Sequence, residues 1–318
     1  MTAVEVLLAA VLDAAIGDPR WLPHPVRAIG AVIAWCDERV RRLCRSPGAL
    51  RLAGLGLALA IPAAVYLAGR FAIEQAESRS HFFGHAVTIG LAFTTLAGRD
   101  LLDHARAVSR ELHSGNMPGA REAVAMIVGR DTDDLPEAEL VRATVETIAE
   151  STTDGVIAPL FYLTVGGAPL ALAYKAVNTL DSMVGHLDER HRDVGWASAR
   201  LDDLANWIPA RLAALLIVCA AGLTSGRWRR ASDSWLVLWR DGGKHPSPNS
   251  GRPEAAMAGA LGVQLGGVNY YDGRPQERPR LGDGTRTLTR DDIARASRIM
   301  VATYGLGLAL AVAALWLT

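Results

Sequence analysis

Residues 141–186 read VRATVETIAESTTDGVIAPLFYLTVGGAPLALAYKAVNTLDSMVGH. Three carboxylates, Glu146, Glu150 and Asp154, precede the apolar run 155–175, and Lys175, Asn178 and Asp181 follow it. A charge forced to the bilayer centre costs about 2.5–3.5 kcal/mol on insertion scales. Charges at the rim, facing a wet pocket, cost far less. The stretch therefore predicts a membrane-inserted helical segment edged by a polar site. Its Gly166-Gly167-Ala168-Pro169 break predicts a re-entrant segment, because broken helices are tolerated at membrane depth where they line a protein-walled cavity. That reading keeps 176–203 on the cytoplasmic side.

A membrane helix needs about 20 mostly apolar residues. Segments 50–69, 204–222 and 299–317 satisfy this, and 3–17 and 83–98 are shorter and weaker. The expected fold is an all-α, polytopic integral membrane protein with four to six membrane segments. It is read as one membrane-embedded catalytic domain, 1–318, with polar helical or loop insertions at 99–153 and 223–297. The chain is 50% hydrophobic but only 6% aromatic, and its 33 basic residues balance 33 acidic ones. That balance leaves no global basic field for nucleic acid. Arg39, Arg41, Arg42, Arg45 and Arg51, and again Arg227, Arg229 and Arg230, follow apolar segments; the positive-inside rule places both clusters in the cytoplasm. Cys36, Cys44 and Cys219 form no CxxC pair and are expected unpaired. Glu5 and Asp13 interrupt the first apolar stretch, which has no basic n-region, so no cleavable signal peptide is expected.

In the first insertion, residues 99–116 carry a helical apolar rhythm ending at Gly115-Asn116, a C-cap pattern. Asp134, ahead of Pro136, reads as the N-cap of the next helix. The second insertion is rich in Gly and Pro and reads mainly as loop, with one small-residue helix over Pro253–Leu265. Nothing alternates like a strand.

Six constellations carry the chemistry; in one of them, Arg130, Asp131, Asp133 and Asp134, helix capping explains some of the acids but not Arg130-Asp131. Glu146 and Glu150 share a helical face, with Asp154 about 80° round from Glu146, a set suited to a hard cation such as Mg²⁺; the bland alternative is a solvated helix face. Lys175, Asn178 and Ser182 form a polar stripe with Asp181 just beyond, against the alternative of a snorkelling lysine. Asp202, Asp203 and Asn206 precede an apolar segment that contains Arg211. Acids at a helix start are favoured by the macrodipole, but an arginine inside a span calls for a cavity or an acid. His245, Ser247, Asn249, Ser250 and Gly251 converge before a helix start with Glu254 in its first turn, where backbone N–H groups can cradle an anion. Near the N-terminus stand Asp18, Arg20, His24 and Arg27.

The pieces GDPRWLPHPVRAIG (17–30), GRDTDDL (129–135), ETIAESTTDGVIAPLFY (146–162), YKAVNTLDSMVGH (174–186), LDDLANWIPAR (201–211), HPSPNSGRPEAAMAGALGVQLGG (245–267) and NYYDG (269–273) occur in this order. Together they resemble the adenosylcobinamide-phosphate synthase (cobinamide synthase) family of cobalamin biosynthesis, over about residues 10–285. The resemblance implies a multi-pass enzyme of the cell membrane. Its implied substrates are adenosylcobyric acid and an aminoalcohol phosphate, usually (R)-1-aminopropan-2-ol phosphate, joined as an amide on the ring-D propionate. It also implies ATP as cosubstrate, Mg²⁺, contact with membrane lipid, and other late corrin-pathway enzymes as partners.

A carboxylate oxygen is a poor leaving group, so an acyl phosphate is the expected intermediate. Residue chemistry then suggests roles. Glu146, Glu150, Asp154 and Asp181 are candidate Mg²⁺ ligands. Glu150, Lys175, Asp202 and Asp203 are candidate catalytic groups, an aspartate taking the amine proton. Substrate and phosphate oxygens would be held by His24, Arg27, Asn178, Asn206 and Arg211, and by His245, Ser247, Asn249, Gly251 and Glu254 in the later loop. A Mg-dependent membrane prenyltransferase is the rival reading, although the chain has no DDxxD. A non-catalytic membrane sensor or transporter is the other.

Overall fold

The computed structural model describes residues 1–19, 21, 24–185 and 191–317. Arg20, residues 22–23 and residues 186–190 lie outside them. In chain order the helices are α1 (Ala3–Ile16), α2 (Pro25–Leu43), α3 (Pro47–Glu77), α4 (His81–Phe93), α5 (Gly98–His113), α6 (Met117–Ala125) and α7 (Glu137–Thr152). A single π-helical turn, Thr153–Ile157, leads into α8 (Ala158–Val184). Then follow α9 (Trp196–Ala205), α10 (Trp207–Ser225), α11 (Trp228–Asp241) and α12 (Gly251–Leu261), the hairpin β1 (Leu265–Tyr271) and β2 (Arg274–Leu281), and α13 (Asp291–Leu317).

Four helical stretches are long and apolar enough to cross a membrane: Pro47–Glu77, Glu137–Val184, Trp207–Ser225 and Asp291–Leu317. The protein is an all-α, multi-pass membrane protein with one small hairpin. Helices α1 and α4, at 14 and 13 residues, fall short of the ~20 that a crossing needs. At 1.5 Å per residue, the 48 residues of Glu137–Val184 would extend about 70 Å, over twice the ~30 Å hydrocarbon core. The acid-bearing start of that stretch therefore has no need to enter the lipid. The Gly-Gly-Ala-Pro break is a real discontinuity: Gly167 sits at φ 71°, ψ −169° inside α8, and Pro169 removes a backbone donor just beyond it.

The chain divides into two compact units. The first comprises 1–97, 158–206 and 308–318. In it α1 begins with a reciprocal capping box between Thr2 and Glu5, and Glu5 also meets His85 of α4 at 2.8 Å. Ile29, Ile33, Ile61, Ala176, Leu180 and Val184 form an apolar core where α2, α3 and α8 meet. Helix α3 approaches its neighbours through glycine: a Cβ on Gly54 would sit 2.0 Å from the Val194 carbonyl. Small residues allow such close helix contacts.

The second unit comprises 98–157 and 207–307. Its core draws on α5–α7 and α10–α13, with Leu112, Leu140, Ile148, Ile217 and Met257 almost fully buried. Helix α12, rich in Gly and Ala, packs tightly on α11; a Cβ on Gly259 would lie 2.7 Å from the backbone of Asp233 and Ser234, and Ser234 Oγ donates to the Ala256 carbonyl at 2.7 Å.

Two sequence expectations need correcting here. Helix α7 starts at Glu137 with Pro136 as its N-cap residue, so Asp134 lies before the helix rather than capping it. The 223–297 segment is not mainly loop. Besides α11 and α12 it holds an antiparallel hairpin whose register pairs Tyr271 with Arg274. The connecting Asp272 and Gly273 both adopt positive φ, 50° and 72°, as a two-residue type I′ turn requires. The strand β2 hides from pattern reading because Pro275 and Pro279 interrupt it and most of its residues are exposed, so it shows no apolar alternation. The three cysteines are unpaired, as expected.

Candidate active site

Glu146 and Glu150 stand one turn apart on α7, but their surroundings differ. Glu146 is buried and accepts from Arg130, from Arg142 Nη1 at 2.8 Å and from the Gly266 N–H at 2.8 Å. Asn269 Oδ1 on β1 accepts from both guanidiniums, each at 2.8 Å. Arg142 also reaches Glu139, its Nε at 2.9 Å, and the Val268 carbonyl. Both oxygens of Glu146 are thus committed to two cations and an amide. A divalent metal would have to displace a guanidinium from a buried position, so Glu146 fits an ion-pair hub tying α7 to the hairpin better than a metal ligand.

Glu150 is exposed and accepts from Ser250 Oγ at 2.8 Å. Behind that serine the loop is ordered by its own hydrogen bonds. Ser247 Oγ accepts from the N–H groups of Asn249 and Ser250, both at 3.3 Å, and His245 Nδ1 accepts from the Ser247 N–H at 3.1 Å. A neutral His245 therefore carries its proton on Nε2, which makes the 3.4 Å approach of Arg278 Nη1 a charge contact rather than a good hydrogen bond. Burial, and then the Arg278 charge, hold the His245 pKa below its ordinary value, with Glu150 opposing. Gly251 opens α12 directly against this ring; a Cβ there would lie 2.4 Å from His245 Cβ. Glu254, one turn on, is buried. Desolvation, and then the charges of Glu150 and Glu146, push its pKa well above the usual carboxylate range, while Arg130 and Arg278 oppose. Glu254 accordingly holds its proton more tightly than an ordinary glutamate does, with Glu150 and Glu146 near enough for their charges to be felt. A buried carboxyl with raised proton affinity, set in one cluster with a second carboxylate and a histidine, suits acid–base work.

A second feature of this unit concerns anions. Arg211 Nη1 donates to the Trp207 carbonyl at 2.6 Å and its guanidinium stacks on the Trp207 ring, 4.0 Å from the centroid. Arg252, the second residue of α12, is close enough for its charge to be felt by Arg211. Its Nε is buried with no hydrogen-bond partner among the described residues. Two like charges near a helix N-terminus, one with an unmet donor, suit an anionic ligand.

Beside the Glu146 hub opens a cleft of about 1030 Å³, bounded by residues 131–142 on one side and the hairpin and 284–288 on the other. Arg142 and Gly266 belong both to its lining and to the hub.

In the other unit Asn178, one member of the expected polar stripe, joins a hydrogen-bond network with residues of α8 and α9. Tyr174 Oη donates to Asn206 Oδ1 at 2.9 Å, Asn206 Nδ2 to Asp202 at 3.0 Å and Asn178 Nδ2 to Asp202 at 3.4 Å. Tyr162 stacks on Tyr174 with centroids 4.9 Å apart. Burial raises the Asp203 pKa, with Arg200 opposing. Lys175 and Asp181 are half-buried on α8. His24 and Arg27 both face Asp18, at 3.9 and 3.4 Å. Trp21 and Trp207 are exposed, as interfacial indoles are.

The structure therefore brings Glu146, Glu150, His245, Ser247, Gly251 and Glu254 together in one unit, where Arg211 also lies. It brings Asn178, Asp202 and Asn206 together in the other. Among the described residues no group of three or more His, Cys, Asp or Glu is arranged to hold a metal ion. Of the four proposed ligands, Glu146 is committed to two guanidiniums and an amide, and Asp181 lies in the first unit.

Compared with known proteins, residues 6–300 match the family model described as CobD/Cbib protein. This chain belongs to the CobD/CbiB family. Cobalamin biosynthesis protein CbiB of Salmonella typhimurium is 47% identical over 316 residues, covering 99% of this chain and 98% of its own. Cobalamin biosynthesis protein CobD of Klebsiella pneumoniae is 47% identical over 310 residues, covering 98% and 96%. No solved structure matches the chain. In this CobD/CbiB chain the block 245–267 supplies the ordered loop, α12 and the start of β1, and 269–273 supplies the hairpin turn. Four residues of the cluster were not singled out from sequence: Arg142, Arg252, Asn269 and Arg278. Arg142 had a readable signal, since it lies four residues before Glu146. Asn269 and Arg278 had none, because the hairpin that presents them was read as loop.

Proposed function

We propose that this CobD/CbiB-family chain acts in cobalamin biosynthesis as a cell-membrane adenosylcobinamide-phosphate synthase. It would join an aminoalcohol phosphate, (R)-1-aminopropan-2-ol phosphate in the simplest case, to the ring-D propionate of adenosylcobyric acid at the expense of ATP. A propionate oxygen attacks the γ-phosphorus, the bond to the β-phosphate oxygen breaks and ADP leaves. The amine then attacks the acyl carbon, the C–N bond forms and phosphate departs. The amine proton passes to a base.

The observation that supports this reading best is the juxtaposition of Glu150, Ser250, His245, the buried Glu254 and the cation pair Arg211–Arg252 around one helix start. Phosphoryl transfer is catalysed mainly by positioning and charge stabilisation. Arg252, Arg211 and the N–H groups opening α12 would hold phosphate oxygens. Glu150 would accept the amine proton, and Glu254 would donate one to the departing oxygen. The residues fit a magnesium ion brought with the nucleotide, with Glu150 as its carboxylate, rather than a closed protein cage. Such an ion supplies neutralisation of the phosphate charge when bound. Lys175, Asn178, Asp181, Asp202, Asp203 and Asn206 are kept as candidates for substrate contact or proton transfer in the first unit. The hub of Glu146, Arg130 and Arg142 holds the hairpin in place.

The test is ADP release by the purified full chain. We expect release that needs both adenosylcobyric acid and the aminoalcohol phosphate. Glu150→Gln should abolish it while the protein stays folded and membrane-inserted. Full activity in that variant removes Glu150 from the mechanism. A prenyltransferase would ignore both substrates, and a sensor or transporter would release no ADP.

A further inference from the structure

The 1030 Å³ cleft beside the hub takes no part in the chemistry described above. It lies at the upper end of the ~300–1,000 Å³ typical of small-molecule sites, far more than an aminoalcohol phosphate fills. Its charge argues against a nucleotide. Four carboxylates, Asp131, Asp133, Asp134 and Glu139, face three guanidiniums, Arg142, Arg280 and Arg286. Two of those guanidiniums are already committed: Arg142 to Glu139 and Glu146, and Arg286 to Asp292 and the Leu261 carbonyl. A triphosphate would meet a surplus of negative charge. The remaining lining combines the apolar Leu135, Pro136, Val268 and Leu288 with Gln264, Tyr270 and Thr287.

We infer that this cleft is the seat of the corrinoid substrate. The inference rests on the proposed function and adds to it where the large substrate lies. A corrin is a broad, partly apolar disc edged with carboxamides. Its faces suit the apolar part of the lining, its NH₂ groups suit Asp133 and Asp134 as acceptors, and its amide oxygens suit Arg280 as donor. The hub supplies the connection to the chemistry. Arg142 and the Gly266 N–H line the cleft and bind Glu146, and Glu146 is electrostatically coupled to Glu254 and His245 behind it. A disc held here has one edge a single buried carboxylate away from the acid–base cluster. The corrinoid thus sits against the hairpin rather than among the small-residue membrane helices.

The test uses full-length protein in detergent, adenosylcobyric acid followed by its visible absorbance in equilibrium ultrafiltration, and ADP binding measured in parallel. Ala138→Trp and Val268→Trp each place an indole in the cleft from an exposed position. Both should weaken corrinoid binding at least tenfold and leave ADP binding unchanged; Glu150→Gln should keep corrinoid binding. Undiminished corrinoid binding in both tryptophan variants overturns the cleft assignment while the proposed function stands. Parallel loss of ADP binding in both also overturns it, since the cleft would then not be selective. Failure of the wild-type chain to bind the corrinoid at all overturns the proposed function and the cleft with it.

Discussion

Replacing Glu146 by glutamine separates a buried ion-pair hub from a metal site. The side chains of Arg130, Glu146 and Arg142 are 10%, 9% and 6% exposed. Removing the one carboxylate they share leaves two guanidiniums facing each other out of water. Breaking a buried pair by deleting one partner costs about 3–5 kcal/mol. Arg142 keeps Glu139 and both arginines keep Asn269, so the lower half of that range applies. At roughly 2–4 °C per kcal/mol for domains of 150–250 residues, the midpoint of thermal unfolding should fall by about 6–16 °C. The assay is a thermal melt of the detergent-solubilised chain, with and without Mg²⁺. Replacing Arg130, Arg142 and Glu146 together by methionine should recover much of the loss, because a matched apolar set has no charge left to desolvate. A Glu146→Gln protein that melts like the wild type but has lost Mg²⁺-dependent activity would refute the hub and restore the metal role.

Three further outcomes follow from the same cluster. Glu254 binds its proton more tightly folded than unfolded, so its contribution to stability is present at low pH and is lost as pH rises above about 4.5 towards its raised folded value. Glu254→Gln should thus gain stability relative to the wild type as pH rises, while losing turnover, both read by melts and ADP release from pH 4.5 to 8. For His245 the folded value is depressed, so protonation opposes the native loop below about pH 6.5, and a His245→Asn variant should lose that acid sensitivity in the same melts. Gly251→Ala forces a Cβ against His245; nucleotide binding should drop at least tenfold in equilibrium dialysis, whereas Ala258→Gly, elsewhere on α12, should not affect it.

The membrane helices were legible because apolar length is a local property: 50–69, 204–222 and 299–317 all fall within or largely within helices of the expected kind. So was the discontinuity at Gly166–Pro169, since a positive φ there suits glycine alone. The hairpin was not read, although Tyr271-Asp272-Gly273-Arg274 carries the turn chemistry, because neither strand alternates around it. That one omission hid Asn269 and Arg278, and with them the fate of Glu146. Read along α7, Glu146 and Glu150 look alike. Only tertiary partners separate them, two arginines and an amide for one, a serine hydroxyl for the other. Spacing reports which residues share a face, but not what the face meets.

The central claim is that this chain activates the corrinoid carboxylate with ATP and transfers it to an amine. Adenosylcobyric acid carrying ¹⁸O in its ring-D carboxylate, turned over with (R)-1-aminopropan-2-ol phosphate and MgATP, tests this most directly. The account predicts adenosylcobinamide phosphate, ADP and inorganic phosphate bearing one ¹⁸O from the propionate. Amide product accompanied by unlabelled phosphate, or no amide product, would contradict it.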